Sequence, residues 1–326
     1  MRLREKIIKI LERSTEPVSG EEMAKILGVT RNSVWKTVNV LKKDGYQISA
    51  GTNKGYQLLS AGNVLDEQQI YKFLPEKLQM LPIEVRESVT STNTVLKESV
   101  NPEEKKEKVL IAQAQTAGKG RLGRTFESPF GTGIYLSMLL FPNCSAQEAL
   151  FLTTAAAVAV SRAIEEISQR TAQIKWVNDI YLDKKKVCGI LTEASVDFEG
   201  GGLHYAVVGI GINIAKPQGG FPEEVEKIAT AVYEKEVPPS ARAQISAAVI
   251  RHFYSIYENL PNRDYMQDYK DKSLLTGLDI VFQQGNIMEE GRVTGIDDEA
   301  KLLVTLKNGE KRAYSAGEVN IQKGFV

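Results

Sequence analysis

The chain has 326 residues, with 41 Lys and Arg against 41 Asp and Glu, 42% hydrophobic and 25% charged, the composition of a globular protein with length for two or three domains of roughly 150 residues. Its most apolar run, residues 149–160, is broken by Thr153 and Thr154 and falls short of the ~20 apolar residues that cross a bilayer. With no apolar signal core near Met1 and only Cys144 and Cys188 as cysteines, neither a membrane partner nor a disulfide framework is expected, and the chain is read as cytoplasmic.

Residues 1–60 carry 11 Lys and Arg against six Asp and Glu, a local excess that fits either nucleic-acid contact or a solvated basic face. Leu3, Ile7, Ile8 and Leu11 recur at helical spacing. Ser19 and Glu22 form a capping box for a second helix through Met23, Ile26 and Leu27 that Gly28 ends. Thr30 then caps a third, which buries Val34, Val38 and Leu41 and leaves Arg31, Asn32, Ser33, Lys36 and Thr37 on the opposite side. Strand-like runs at 46–50 and 56–59 flank a polar tip carrying Lys54. This order predicts a winged helix-turn-helix, in which Arg31, Asn32, Ser33, Lys36 and Thr37 face a major groove and Lys54 meets phosphate. A helical docking module is the alternative.

Beyond a boundary near 63, the pattern predicts a short helix at 66–73, a strand at 83–89, a helix at 93–99, strands at 109–115 and 133–141, a long helix at 147–167, and strands at 174–177, 180–182, 186–195 and 204–214. Segregated helices and strands predict an α+β domain. Between the second and third of these strands lies Q-T-A-G-K-G-R-L-G-R, residues 115–124. Glycines at 118, 120 and 123 let backbone N–H groups turn toward one anion, and Lys119, Arg121 and Arg124 add charge. Phosphate is the natural ligand, and a basic surface turn the alternative. A dinucleotide fingerprint is disfavoured, because Pro129 and Gly131 preclude the helix that should follow. A helix at 241–257 leads to strands at 279–283, 291–296, 302–306, 310–314 and 319–322, a small SH3-like barrel. His204 and His252 stand far apart without Cys or Glu at metal spacing, so no zinc site and no serine triad is expected.

Four clusters follow S-T-N at 91–93 in order: G-K-G-R-L-G-R at 118–124, K-W-V-N-D at 175–179, K-V-C-G-I-L at 186–191 and G-I-G-I-N at 209–213. Together they resemble the biotin protein ligases, whose signature runs G-R-G-R-x-G-R, K-W-P-N-D, K-x-x-G-I-L and G-x-G-I-N. With the winged helix in front, the resemblance covers essentially the whole chain and is to the bifunctional subgroup, ligase and biotin operon repressor together. Lys119, Leu122, Phe126 and Val177 depart from the residues usual there; Lys119 keeps charge but loses the bidentate guanidinium fork.

The resemblance implies a winged helix-turn-helix at 1–62, a mixed-sheet catalytic domain of the biotin/lipoate ligase type at 63–272 and the SH3-like barrel at 273–326. It implies that ATP and biotin yield biotinyl-5'-AMP, whose biotin passes to a lysine of the biotin carboxyl carrier protein of acetyl-CoA carboxylase. An adenylate-bound homodimer would bind operator DNA. Lys186 and Arg121 would be catalytic. Ser91, Thr92, Asn93, Gln115, Gly118, Lys119, Gly120, Arg121, Lys186, Gly189, Leu191, Gly209, Gly211 and Ile212 would bind biotin or adenylate, and Asn178, Asp179 and Asn213 would serve ATP and Mg²⁺. A related lipoate ligase and a non-catalytic biotin-sensing repressor are the alternatives.

Overall fold

A computed structural model describes residues 3–14, 16–43, 45–51, 55–60, 65–101, 103–145, 148–196, 202–284 and 287–321. The chain divides into two compact units, Met1–Gln69 with Val237–Ala243 and Ile70–Glu236 with Gln244–Val326.

The first unit holds α1 (Leu3–Arg13), α2 (Gly20–Leu27), α3 (Arg31–Lys43) and a hairpin of β1 (Gln47–Gly51) with β2 (Gly55–Ser60). The Ser19 hydroxyl accepts the Glu22 amide, and Gly28 closes α2 in the left-handed region at φ 66°. Thr30 accepts the Ser33 amide at 3.1 Å and so caps α3. Ile7, Leu11, Met23, Val34, Val38 and Leu41 form the core with Tyr46 and Ile48. Val18 pairs with Tyr56 beside the hairpin. The approach is so close at Gly55, φ 81°, that a Cβ would lie 2.6 Å from the Val18 carbonyl; only glycine satisfies both demands. The Tyr46 hydroxyl donates to Asp66, whose other oxygen accepts the Gln69 amide, and α4 (Glu67–Tyr71) starts there.

In the second unit, β3 (Ile83–Arg86), β4 (Lys108–Ala112), β5 (Gly133–Leu140), β6 (Gln173–Lys175), β7 (Asp179–Leu182), β8 (Lys185–Val196) and β9 (Leu203–Asn213) form a sheet in the order β3-β4-β5-β9-β8-β7-β6. Only β3 and β4 run parallel, because α5 (Thr92–Glu98) supplies the crossover between them. Every residue of β5 is buried, as a strand covered on both faces requires. Leu96 of α5 packs with Leu110, Leu139 and Val207 on one face. On the other lies α6 (Ala149–Ser168), whose residues 151–161 are all buried; its Thr153 hydroxyl donates to Thr192 of β8.

The chain continues through α7 (Glu223–Glu226), α8 (Ala241–Tyr257) and α9 (Met266–Asp271). It ends in an antiparallel sheet of β10 (Asp279–Gln284), β11 (Ile287–Ile296), β12 (Leu302–Leu306), β13 (Lys311–Tyr314) and β14 (Glu318–Ile321), ordered β13-β12-β11-β10-β14. Among the described residues the edge strands β13 and β14 do not pair, so what is present is an open antiparallel sheet rather than a closed barrel. Trp176, left unassigned by the sequence, is buried and donates its indole N–H to the Ala300 carbonyl at 2.8 Å, tying the two sheets of this unit together.

Candidate active site

Strands β8 and β9 set Gly189 opposite Gly211 and Leu191 opposite Gly209. Strand alternation puts these residues on the face that carries α5, and the three glycines leave a trough in it. The Phe126 ring fills part of that trough: a Cβ on Gly211 would come within 2.5 Å of it. The trough opens into a cavity of about 330 Å³, the size of a small-molecule site.

Most of the predicted ligand residues meet at this cavity: Ser91, Thr92 and Asn93 at the start of α5, Gln115 after β4, Lys119, Gly120 and Arg121 of the loop, Asn178 and Asp179 at β7, Lys186, Gly189 and Leu191 on β8, and Gly209, Gly211 and Asn213 on β9. Gly118 and Ile212 do not line it. Gly118 is enclosed behind it, where a Cβ would lie 2.4 Å from the Phe126 carbonyl. Ile212 alternates to the α6 face and is wholly buried.

The cationic loop folds back on itself. The Gly120 amide donates to the Arg124 carbonyl at 2.7 Å, and the Arg124 amide returns to Arg121 at 3.1 Å, around a single turn of 3-10 helix. Side chains then fasten it at two places. Arg121 donates to Asn178 Oδ1 at 3.0 Å, and Arg124 pairs with Glu318 of β14 at 2.6 Å. Asn178 is nearly saturated internally, since its Nδ2 donates to the Ile190 carbonyl at 2.6 Å. Asn213 donates to the Thr230 carbonyl.

Lys186 Nζ lies 2.7 Å from Asp179 Oδ1, and about 3.2 Å from where a Cβ on Gly189 would stand, so its ammonium hangs over the trough. Its backbone is held on both sides: its N–H donates to Ile228 and its carbonyl accepts from Thr230. Lys175 is a further cation of the cavity, and burial holds its ammonium below the usual lysine range, with Asp179 partly offsetting. With Lys119, Arg121, Arg124, Lys175 and Lys186 facing Glu127, Asp179 and Glu318, the cavity favours an anionic ligand.

Several parts of this wall are not marked as ligand groups by the sequence, among them Phe126 in the trough and Trp176. Lys175 lies in the K-W-V-N-D cluster, which by itself assigns it no role. Phe221, Val225, Ile228 and Ala229, and Gly317–Asn320 of the terminal sheet, reach the cavity only through tertiary folding, and no local pattern marked them.

In the first unit, Arg31, Asn32 and Lys36 are exposed on α3. Ser33 and Thr37 are half-buried, and each has an intrahelical partner: Ser33 shares a hydrogen bond with Thr30, and Thr37 donates to the Ser33 carbonyl. Trp35 is 52% exposed beside them. Lys54 lies outside the described residues.

Residues 85–213 match the biotin/lipoate A/B protein ligase family, and residues 3–57 match a helix-turn-helix domain. The bifunctional ligase/repressor BirA of Bacillus spizizenii is 32% identical over 323 residues, 96% of this chain and 97% of that protein. The chain belongs to the BirA family of bifunctional ligase/repressors. The Escherichia coli BirA is 26% identical across 93% of this chain and 92% of its own length. The biotin protein ligase of Aquifex aeolicus, solved with biotin and ATP, is 29% identical with a TM-score of 0.61, covering 74% of this chain and 98% of its own. This BirA-family chain therefore carries both the ligase fold and the helix-turn-helix in front of it.

Proposed function

We propose that this BirA-family protein activates biotin with ATP to biotinyl-5'-AMP, transfers the biotin to a lysine of a biotin carboxyl carrier protein of acetyl-CoA carboxylase, and represses biotin genes by binding operator DNA. One observation carries the ligase reading: all four motifs, far apart in sequence, line one cavity in which a lysine hangs over a glycine trough.

In adenylation the biotin carboxylate oxygen attacks the α-phosphorus, an O–P bond forms, and pyrophosphate leaves. Two anions must approach, so a fixed cation beside them reduces repulsion and stabilises the charge that grows in the transition state. Lys186 takes this role. Arg121, with Lys119 and Gly120, closes over the product, because the mixed anhydride hydrolyses unless water is excluded. Ser91, Thr92, Asn93 and Gln115 are the polar end of the biotin pocket, with Gly189, Leu191, Gly209 and Gly211 as its walls; Gly118 and Ile212 support it from behind.

Mg²⁺ would be bound together with the phosphates of ATP and would offset their charge. Such an ion keeps most of its waters and needs one or two protein carboxylates, and Asp179 fits as one of them. Asn178 and Asn213 also line the cavity. Among the described residues no group of three or more His, Cys, Asp and Glu gathers into a metal cage.

We assign residues 1–62 to the winged DNA-binding domain, with Arg31, Asn32, Ser33, Lys36, Thr37 and Lys54 as its DNA-contacting residues, residues 63–272 to the catalytic domain, and 273–326 to a small SH3-like β domain, an open sheet among the described residues, that lends Glu318 to the active site. The protein works in the cytoplasm, and adenylate binding drives a homodimer that engages the operator. No helix among the described residues is long and apolar enough to cross a membrane.

Incubation with biotin, ATP and the carrier protein, followed by a streptavidin blot, should label the carrier. Labelling by lipoate in its place, or operator binding that responds to biotin with no ATP consumed, would replace this reading.

A further inference from the structure

From the cavity wall a chain of polar groups, buried at Thr92, Asn93 and Ser137 and half-buried at Glu193 and Lys97, runs away from the cavity. Asn93, 3% exposed, donates from Nδ2 to Glu193 Oε2 at 2.8 Å and to the Leu191 carbonyl at 3.2 Å. Glu193 in turn accepts from Lys97 at 2.5 Å. Ser137, fully buried, has its Oγ 2.6 Å from Asn93 Oδ1 and 2.6 Å from Thr92 Oγ1. Thr92 Oγ1 is also 3.1 Å from Gln115 Oε1, which accepts the Thr92 amide at 2.8 Å.

Each hydroxyl has one hydrogen, and this fixes the direction of every link. A carboxylate and a carbonyl on one side of Asn93 hold its NH₂ toward them, so Oδ1 faces Ser137. Oδ1 can only accept, so the Ser137 hydrogen goes there. Two oxygens at 2.6 Å need a hydrogen between them, whereas at 3.1 Å they are near ordinary contact. The Thr92 hydrogen therefore goes to Ser137 and not to Gln115. Thr92 lines the cavity with its hydrogen already committed, and toward a ligand its oxygen offers lone pairs alone.

We infer that Glu193 is a positioning residue: acting through Asn93 and Ser137, it sets the polarity of the Thr92 hydroxyl so that the cavity selects a ligand head presenting an N–H at that point and rejects one presenting an oxygen. This rests on the biotin reading, whose ureido ring carries two N–H groups, and it deepens that reading by naming what reads one of them. Burial alone would raise the Glu193 carboxyl, but hydrogen bonds from Lys97 and Asn93 reverse this and hold it lowered, so the end of the relay stays anionic.

The test uses the full-length protein in biotin-dependent pyrophosphate exchange, comparing biotin with a carbamate analogue in which one ureido N–H is replaced by oxygen. Glu193→Gln keeps the shape but offers Asn93 either a donor or an acceptor, so the amide is free to turn over. The expected result is a KM for biotin raised about tenfold, the size of one neutral hydrogen bond, with kcat little changed and discrimination against the analogue largely lost. Ser137→Ala interrupts the same relay without touching a charge and is expected to lose discrimination likewise; it decides the matter if Glu193→Gln does not fold. Folded variants that keep the wild-type KM and reject the analogue as strongly as before, or that lose kcat alone, overturn the relay. Wild-type protein that does not exchange with biotin at all overturns the ligase reading instead.

Discussion

Lys186 Nζ and Asp179 Oδ1 stand 2.7 Å apart across the turn that joins β7 to β8, both side chains less than a third exposed. The carboxylate holds the ammonium over the glycine trough. Lys186→Ala should lower pyrophosphate exchange by at least ~10²-fold, as removal of a preorganised charge commonly does. Lys186→Arg should recover little, because a planar fork cannot occupy the place of a point charge. Exchange at the wild-type rate in either variant removes Lys186 from the reaction.

The Phe126 ring lies against the bare backbone of β9. In Gly211→Val the new side chain meets that ring at about the 2.5 Å found for a Cβ, so the KM for biotin should rise at least tenfold, with a stability loss of about 1–3 kcal/mol from overpacking. Truncating the obstacle as well, in Gly211→Val with Phe126→Ala, should restore part of the stability. Strict additivity of the two changes in a denaturant titration would mean that they do not touch.

Arg124 of the loop and Glu318 of β14 pair at 2.6 Å, yet Arg124 is 68% exposed. An ion pair this open contributes less than about 1 kcal/mol to folding, so Glu318→Ala should leave thermal stability almost unchanged. Its effect should fall on retention of the adenylate: more AMP formed per biotin transferred, at an unaltered rate of exchange. An unchanged ratio would confine Glu318 to the terminal sheet.

On α3, Arg31 and Lys36 are exposed while Ser33 and Thr37 have partners within the helix. Arg31→Ala and Lys36→Ala should each weaken operator binding and reduce the salt dependence of log K by about one counterion where the contact is to phosphate. Thr37→Val should matter far less. Titrations by fluorescence anisotropy at several salt concentrations measure both quantities.

Much of this was legible in the sequence, for identifiable reasons. Caps at Ser19 and Thr30 and the glycine at 28 set the helices of the first unit, because capping is a local event. The four glycine- and lysine-bearing clusters marked the cavity, because close backbone approach and fixed charge restrict the residues that can serve. Ile212 was placed on the ligand side by motif membership alone, and strand alternation sends it to the other face. The motifs mark Asn93 and Asn178 as ligand groups, but their amides are largely engaged within the protein, a fact that depends on partners 98 and 12 residues away. The contributions of Ile228 and Glu318 needed the assembled fold, since nothing in their local sequence distinguishes them from surface positions, and Lys175, although inside the K-W-V-N-D cluster, shows its place in the cavity only there.

The most direct measurement is biotin-dependent exchange of labelled pyrophosphate into ATP by the purified full-length protein, run beside Lys186→Ala. The account expects exchange that requires biotin and disappears in the variant while its melting temperature is retained. Exchange that proceeds without biotin, or persists when Lys186 is gone, contradicts it.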